Sequence, residues 1–414
     1  MIRALMKSSL LVLASLGLAV IAQRLSGRTF LSNNPEAIST FLSSLAQFAA
    51  IPVTIAFGVI VLIIQQQATA YTGRAGALVV NSPGFMFVVV LLFEVPVLCI
   101  FLLGWLDLSG PSASRSTQEW AAATVGPLIL TFMALARFAA VWFARVSPAE
   151  FSGFVFSRAV EGVERADRNT VSLAVRGLGE SLNNLALSTD YMSLHLSMNH
   201  LAYFLQWYVR EQKTRLKERK PSFFEYQFPQ KSTDNVWVER EVCTFVRDAT
   251  DSLLGRLGPA ESIYYLVDSL RPFGGAATES GDMEALEVLA HTFVEMGTTE
   301  RTFGVSINFN TRPLERSAEG ALWARENGYE EAEELLTSVF FILFAYLNYH
   351  VRRMQAEAFT SSLHETEAKK LKEAGIDFSE AAKESRERFE GYWIIRFPNP
   401  DDETTKALKR IERL

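Results

Sequence analysis

Hydrophobic residues are concentrated in the first third of the chain, where four apolar runs alternate with short polar stretches. The runs cover residues 8–22, 45–64, 85–105 and 125–143. A helix needs about 20 apolar residues to cross the ~30 Å hydrocarbon layer of a bilayer, and the last three runs have that length. The first run is shorter and follows "MIRALMK", so it is also typical of a signal peptide. We expect a retained first helix and therefore an N-terminal four-helix transmembrane region over residues 1–145.

Charged residues beside these runs predict how the chain is oriented. Arg3 and Lys7 precede the first run and Arg145 follows the last, and basic flanks favour the cytoplasmic side. Arg24 and Arg28, in the first predicted outside loop, oppose this orientation. Because four crossings return the chain to the side on which it started, we expect both termini in the cytoplasm.

Two charged residues interrupt the apolar runs. Glu94 lies in the middle of the third run, just before Pro96, and Arg137 lies near the end of the fourth. A charge in hydrocarbon is costly unless it is paired or hydrated. Three interpretations stay open: a buried Glu94–Arg137 pair that joins two helices, an arginine that reaches the headgroups, and a polar lining for an ion or proton path. Pro96 frees a backbone carbonyl and favours the last of these.

The second run continues into three glutamines, Gln65, Gln66 and Gln67. This extension predicts a helix that protrudes into the cytoplasm with solvated amide groups. The alternative is a ring of glutamines at the mouth of an oligomeric pore.

The remainder of the chain has an amphipathic helical pattern. We predict a membrane-proximal helical region over 146–230, with one long helix over 171–220, and a helical cytoplasmic domain over 231–414. Ser147 and Glu150 fit a capping box at the start of this part. The apolar run 339–347 is short for a crossing, so we expect it at the centre of this domain or at a subunit interface, with a fifth crossing as the alternative. The only predicted strand is "GYWIIRF" near the end, so the expected fold class is all-α.

A basic cluster ends the predicted long helix in the sequence "REQKTRLKERK". Such a cluster near a membrane can bind anionic lipid headgroups, and a solvated helix end is the alternative. The candidate residues are Arg210, Lys213, Arg215, Lys217, Arg219 and Lys220.

Charge and motif content exclude several classes of function. Residues 1–145 hold eight basic and four acidic residues, and the remainder holds 32 basic and 42 acidic residues. An acidic second part argues against nucleic acid as a partner. The two cysteines form neither a disulfide framework nor a metal-ligand spacing. Because no phosphate-binding glycine loop, nucleophile elbow or zinc motif is present, we expect no enzyme and no catalytic residue, cofactor or metal site.

Residues 55–94, "IAFGVIVLIIQQQATAYTGRAGALVVNSPGFMFVVVLLFE", carry a resemblance to a known family. A glutamine-bearing second helix leads there through a small-residue and arginine turn into the third. This layout is similar to that of a bacterial family of predicted multi-pass membrane proteins called domain of unknown function 2254. Thr72, Gly73 and Arg74 stand where that family has a Ser-Pro-Arg element, and its Asn-Asp-Pro-Phe signature is absent. The resemblance implies a multi-pass topology in the bacterial inner membrane.

These observations lead to two hypotheses of function. The first is a homo-oligomeric, channel-like membrane protein that is gated or assembled by its cytoplasmic helical domain. The second is a non-conducting membrane-anchored sensor or scaffold, in stress or phage-defence signalling, whose cytoplasmic domain recruits a partner. A lipid-modifying enzyme at the bilayer surface is a weaker third hypothesis.

Overall fold

A computed structural model divides the chain into two compact units, Met1–Phe151 (unit 1) and Ser152–Leu414 (unit 2). The described part of the chain is helical except for short connections and one two-stranded hairpin, which confirms the predominantly helical fold class. The residues described are 2–26, 31, 34–70, 83–106, 112–144, 147–188, 190–225, 233–256, 258–303, 306–354 and 361–414.

Unit 1 is built on the four predicted apolar runs, each of which lies in a helix. A further short helix, α4, occupies part of the predicted polar loop between the third and fourth runs. In the core, Val95 and Cys99 of the third helix pack against Leu45 and Leu128 of its neighbours. The helices are α1 (Ile2–Ser26), α2 (Pro35–Ala70), α3 (Pro83–Trp105), α4 (Arg115–Ala123) and α5 (Val125–Ala144).

Two candidate membrane spans are found among the described residues. They are Phe85–Trp105 and Arg115–Val141, with mean hydropathies of 2.9 and 1.7. Leu10–Ile21 in α1 is apolar but shorter than a span. The predicted four-helix transmembrane region is therefore supported in part, since its first and second runs are not among the candidate spans. The first is too short, and the second lies in α2, many of whose side chains are outside the described residues.

Unit 2 consists of helices around one central apolar helix, α15. The helices are α6 (Pro148–Glu164), most of which lies in this unit, α7 (Arg168–Leu187), α8 (Tyr191–Trp207), α9 (Lys213–Arg219), α10 (Trp237–Gly255), α11 (Ala260–Asp268), α12 (Arg271–Glu279), α13 (Met283–Thr298), α14 (Arg312–Glu326), α15 (Glu330–Met354), α16 (Ser361–Glu373), α17 (Phe378–Arg388), α18 (Glu390–Arg396) and α19 (Pro400–Arg413). Between α13 and α14, strands β1 (Glu300–Phe303) and β2 (Ser306–Phe309) form an antiparallel hairpin in which Glu300 is opposite Phe309.

The apolar run 339–347 forms the middle of α15 and is the core of unit 2. Every residue of this run is at most 2% exposed. Helices α13, α14 and α17 pack around it. The expected position of this run at the centre of the second part of the chain is therefore confirmed. Side chains that are buried all round the helix leave no face for lipid.

The prediction of one long helix is corrected by the structure. The long helix predicted over 171–220 is divided, because Ser188 ends α7 and a five-residue π-helical turn, Tyr208–Gln212, separates α8 from α9. The predicted boundary between the regions 146–230 and 231–414 stays a prediction. Residues 152–414 form unit 2, in which α7 packs along α10. At the start of α6 the predicted cap is present, since the Glu150 backbone N–H donates to Ser147 Oγ at 3.3 Å.

The segment "GYWIIRF", predicted as a strand, is the helix α18. Its aromatic and branched residues favour a strand locally, but the tertiary packing overrides this preference. Trp393 is fully buried, and its ring stacks on Phe397 four residues later with ring centroids 4.5 Å apart. Four-residue spacing places two side chains next to each other on one face of a helix, so the helical conformation brings these two rings into contact.

Candidate functional site

The two predicted intramembrane charges lie on different helices of unit 1 and do not form an ion pair with each other. Glu94 is half-buried on α3, and Arg137 is exposed on α5. The ion pairs between described residues of unit 1 instead join Glu119 to Arg24 at 2.9 Å and to Arg115 at 3.2 Å. The structure therefore does not support a buried Glu94–Arg137 pair.

The structure gives the positions of two of the other predicted residues of the membrane region, Pro96 and Gln65. Pro96 lies inside α3, which continues through it to Trp105. Gln65 is exposed on α2. The side chains of Gln66 and Gln67 lie outside the described residues, so the predicted glutamine ring stays a prediction.

Glu119 is a buried carboxylate of unit 1 that the sequence reasoning missed. Its side chain is 5% exposed and lies on α4 between two arginines. Ser114 caps the start of this helix, and its side chain accepts from the Thr117 backbone N–H. The four-residue spacing of Arg115 and Glu119 was the available signal, but it fell in a stretch interpreted as a loop. The pair also explains Arg24, whose charge on the predicted outer side is balanced by Glu119.

The six basic residues of the predicted headgroup cluster do not share one environment. Arg215, Arg219 and Lys220 are exposed, as a lipid-binding role requires. Arg210 pairs with Glu279 at 3.3 Å, and Lys217 lies 3.9 Å from Glu284. Lys213 is 1% exposed, so its assignment as a headgroup ligand is wrong. The reason is that it continues the buried face of α8 rather than the solvated face of α9.

Lys213 instead forms the centre of a buried triad with Glu239 and Asp282. Its Nζ lies 2.6 Å from Glu239 Oε1 and 2.5 Å from Asp282 Oδ2. The π-helical turn positions it, because the Lys213 backbone N–H donates to the Tyr208 carbonyl five residues earlier. Single π-helical turns inside helices occur frequently at functional sites. Two carboxylates around one ammonium give the triad a formal charge of −1 in the interior of unit 2.

Burial dominates the electrostatics of this triad. It raises the pKa of the Glu239 carboxyl to about 7, although the Lys213 ammonium acts in the opposite direction. Burial also raises the pKa of the adjacent Tyr208 phenol, and the charges of Glu239 and Asp282 add to this effect. Asp282 is held in place as the cap of α13, where its Oδ1 accepts from the Ala285 backbone N–H. A proton on Glu239 near neutral pH would leave a neutral acid beside a compensated Lys213–Asp282 pair.

The triad is one end of a polar seam between α10 and α13. Glu239, Cys243 and Arg247 follow one another at four-residue spacing on α10, so they share one face. Burial raises the pKa of the Cys243 thiol to about 12, which makes it an inert buried thiol rather than a nucleophile. At the far end of the seam, Arg247 Nη1 donates to Glu295 Oε2 at 2.7 Å.

A polar cleft of about 660 Å³ lies over this seam. Tyr392 of α18 closes it on one side and donates its hydroxyl hydrogen to Glu295 Oε1 at 2.8 Å. His291 lies in the same wall, with its ring 6.0 Å from that of Tyr392, and burial lowers its pKa. The lining carboxylates outnumber the arginines, so the cleft favours a polar ligand with a cationic group. The charged lining residues are Asp234, Arg240, Arg247, Glu284, Glu287 and Glu295.

The charged and polar side chains that line the cleft can bind a ligand through ion pairs and hydrogen bonds. Within the described residues, no group of three or more His, Cys, Asp or Glu is placed to hold a metal ion. Its two arginines are already engaged, Arg240 with Asp234 at 2.7 Å and Arg247 with Glu295. A cationic group that binds Asp234 or Glu295 would therefore have to displace one of these arginines.

We expect Lys213→Met to destabilise unit 2 strongly. Removing the ammonium leaves Glu239 and Asp282 facing each other without compensation, and breaking such a buried pair costs about 3–5 kcal/mol. Lys217→Met is the matched control, because Lys217 is exposed on the same helix and surface pairs contribute about 0–1 kcal/mol. Urea denaturation of both variants measures the difference. Equal stabilities would contradict the role assigned to the triad.

The stability of unit 2 should also depend on pH through Glu239. Its pKa is about 7 in the folded protein, above the usual 4.5, so the folded state binds the proton more tightly than the unfolded chain does. The stabilisation is full below about pH 4.5 and is lost as the pH rises through 7, at roughly 1.4 kcal/mol per unit of pKa shift. Glu239→Gln keeps the shape and cannot titrate. The free energy of unfolding of the wild type, relative to this variant, should therefore fall between pH 5 and pH 8, and parallel pH profiles would refute this assignment.

The chain was compared with family models, with curated proteins and with solved structures. None of the three comparisons found a match. The resemblance to domain of unknown function 2254 therefore stays a prediction.

Proposed function

We propose that this protein is a membrane-anchored sensor: unit 1 holds it in a bilayer, and unit 2 binds a ligand or a partner at the polar cleft. The observation that carries the proposal is the difference in the exposure of apolar residues between the two units. Unit 2 buries the apolar run 339–347 of α15 completely, whereas unit 1 exposes apolar faces of helices long enough to cross a membrane.

The exposed face of α3 supports anchoring. Phe93, Val97, Ile100 and Phe101 recur at helical spacing, and each is more than half exposed. A contiguous apolar face of this kind is unfavourable in water by ~25 cal/mol per Å² and marks an interaction surface or a membrane. Hydrocarbon is the environment that fits a helix which is apolar except for Glu94.

Helix α5 supports the same environment and accounts for Arg137. Ile129, Met133, Arg137 and Val141 lie four residues apart, so the arginine shares an exposed apolar face. It lies seven residues before the end of the helix at Ala144, about 10 Å along the axis. The arginine side chain can extend along the helix and bring its guanidinium closer to the headgroups than its Cα.

The proposed topology has four crossings, by α1, α2, α3 and α5, in a bacterial inner membrane with both termini in the cytoplasm. Helix α2 has 36 residues, which is about 54 Å and longer than the hydrocarbon layer. Its last turns would therefore extend beyond the bilayer. Arg215, Arg219 and Lys220 in unit 2 are the exposed basic residues that remain candidates for anionic headgroups.

The sensing role rests on the polar cleft and its connection to the buried triad. The cleft is of ligand size, and its walls are α10 and α13, the same helices that hold Glu239 and Asp282. A ligand that exchanges with the Arg247–Glu295 pair would act on helices that also carry a buried charge. This arrangement supports a binding event that changes the packing of unit 2.

Cysteine labelling tests the anchoring and topology. Both native cysteines are buried, so the unsubstituted chain is the unlabelled control. Ser116→Cys on α4 and Thr214→Cys on α9 introduce exposed thiols. We expect the protein to stay with membranes in alkaline carbonate, Ser116→Cys to react with an impermeant maleimide in intact spheroplasts, and Thr214→Cys to react only in inside-out vesicles. Release by carbonate, or labelling of both sites from one side, would overturn the proposal.

A second candidate function is a homo-oligomeric channel, and Glu94 is the observation that favours it. A half-buried carboxyl group in a candidate span, two residues before Pro96, is the arrangement expected for a polar path. In this candidate, copies of unit 1 would bring their Glu94 side chains to a common axis.

Bilayer recordings of the purified protein decide for or against the channel. If Glu94 lines a path, Glu94→Gln should change the conductance or ion selectivity, because it removes the charge and keeps the shape. Glu36→Gln in the first turn of α2 is the control and should leave both unchanged. A wild-type protein that does not conduct under voltage or membrane tension would remove this candidate and leave the sensor.

A further inference from the structure

A second cavity in unit 2, separate from the polar cleft, lies where α12, α13, α14 and α15 meet. Its volume is about 320 Å³, at the lower end of the range for small-molecule sites. We call it the glycine cavity, because Gly274, Gly275 and Gly320 present bare backbone to it. The sequence "RPFGGAATESGD" contains two of these glycines, and nothing in the sensor role uses them.

One side of the glycine cavity is apolar. Leu286, Leu289 and Leu336 line it although each is at most 6% exposed, and Trp323 adds an aromatic face. Apolar side chains that are shielded from bulk water yet border an open space favour an apolar occupant. This side of the cavity therefore suits an aliphatic or aromatic group.

Gly275 indicates that the space is kept open. Glycine inside a helix costs about 1 kcal/mol relative to alanine, and α12 has two in succession. Packing explains Gly274, where a Cβ would lie 2.8 Å from Leu289 Cδ2. A Cβ at Gly275 would have nothing within 4 Å, so packing against neighbours does not explain this glycine. A larger residue at this position would instead reduce the volume of the cavity.

The mouth of the cavity carries arginines that are held loosely. Arg271 is 68% exposed and lies 3.8 Å from Glu319, and Arg210 is 58% exposed and lies 3.3 Å from Glu279. Exposed ion pairs of this kind contribute only about 0–1 kcal/mol, so another anion can replace the internal carboxylate. Arg316 differs, because it is 11% exposed and bound to both Asp268 and Glu319. It holds Glu319 in place rather than offering a free guanidinium group.

We propose that the glycine cavity binds an amphipathic organic anion, a small carboxylate with an aliphatic or aromatic body. The body packs between the leucines and Trp323, over the bare backbone of Gly275. The carboxylate exchanges with Glu319 and Glu279 for Arg271 and Arg210. A fatty acid released from the membrane and a soluble aromatic acid share this chemistry. The proposal goes beyond the sensor role and does not depend on it.

The test uses the full chain in lipid nanodiscs and radiolabelled octanoate, with 3-phenylpropionate as the aromatic competitor and empty nanodiscs as the blank. We expect saturable octanoate binding. If the cavity accepts both a fatty acid and an aromatic acid, 3-phenylpropionate should displace the octanoate. Octanol, which lacks the charge, should compete at least tenfold more weakly, because a hydrogen bond to a charged group contributes about 1.5–3 kcal/mol. Saturable octanoate binding that 3-phenylpropionate does not displace would assign the body as aliphatic.

Two pairs of variants locate the binding. Gly275→Leu fills the cavity and should abolish binding, whereas Gly391→Leu, at an exposed helical glycine with equally open surroundings, should not change it. Arg271→Gln should weaken octanoate binding about tenfold, whereas Arg215→Gln on the exposed face of α9 should not. Because Arg271 is exposed, its variant tests the proposal even if Gly275→Leu unfolds.

The proposal is overturned if neither carboxylate binds saturably, if octanol competes as well as octanoate, or if Arg271→Gln binds like the wild type. It is also overturned if a folded Gly275→Leu protein still binds. These outcomes are separate from those of the cysteine-labelling experiment. Loss of anchoring with intact octanoate binding would remove the sensor proposal and keep the cavity.

Discussion

The burial of apolar surface is the constraint on which the rest of this structure depends. Each Å² of apolar surface taken out of water stabilises the folded chain by ~25 cal/mol, so a continuous apolar helix must find a non-aqueous environment. In unit 2 the run 339–347 of α15 finds it among other helices. In unit 1 the outer faces of α3 and α5 do not, since their large side chains are exposed. One rule therefore accounts for the packed core around α15 in one unit and for the exposed apolar faces of α3 and α5 as the surface to be covered in the other.

Once apolar packing is set, the buried charges determine what the units can do. A carboxylate away from water requires a cation, a hydrogen bond or a proton. Glu119 is compensated by two arginines that are largely exposed, so the cost of its burial is offset within unit 1. Glu239 is compensated less completely, because it shares Lys213 with Asp282. The triad therefore carries a net negative charge only while Glu239 is ionised, and burial raises the pKa of Glu239 to about 7.

The sequence predicted those features that depend on local periodicity. The apolar runs are helices, the helical character of the second part holds, and the run 339–347 is central. Features that depend on tertiary contacts were missed. Lys213 belonged by sequence to a basic helix end, and only the π-helical turn and the approach of α10 and α13 make it a core residue. The hairpin Glu300–Phe309 is short, and "GYWIIRF" has strand-like composition but packs as a helix, so neither could be assigned by pattern.

The glycine cavity and the buried triad share two structural elements, and this connects binding to the charge in the core. Arg210 lies inside the π-helical turn Tyr208–Gln212, directly after which Lys213 begins α9. Leu286 and Leu289 belong to α13, whose cap is Asp282. An anion that draws Arg210 away from Glu279 therefore acts on the same five residues that position Lys213. Because a π-helical turn holds one more residue than an α-helical turn, its rearrangement would rotate Lys213 relative to Glu239 and Asp282. If the proposed anion binds through Arg210, its occupancy of the cavity would therefore act through this short turn on Lys213, the residue that compensates Glu239.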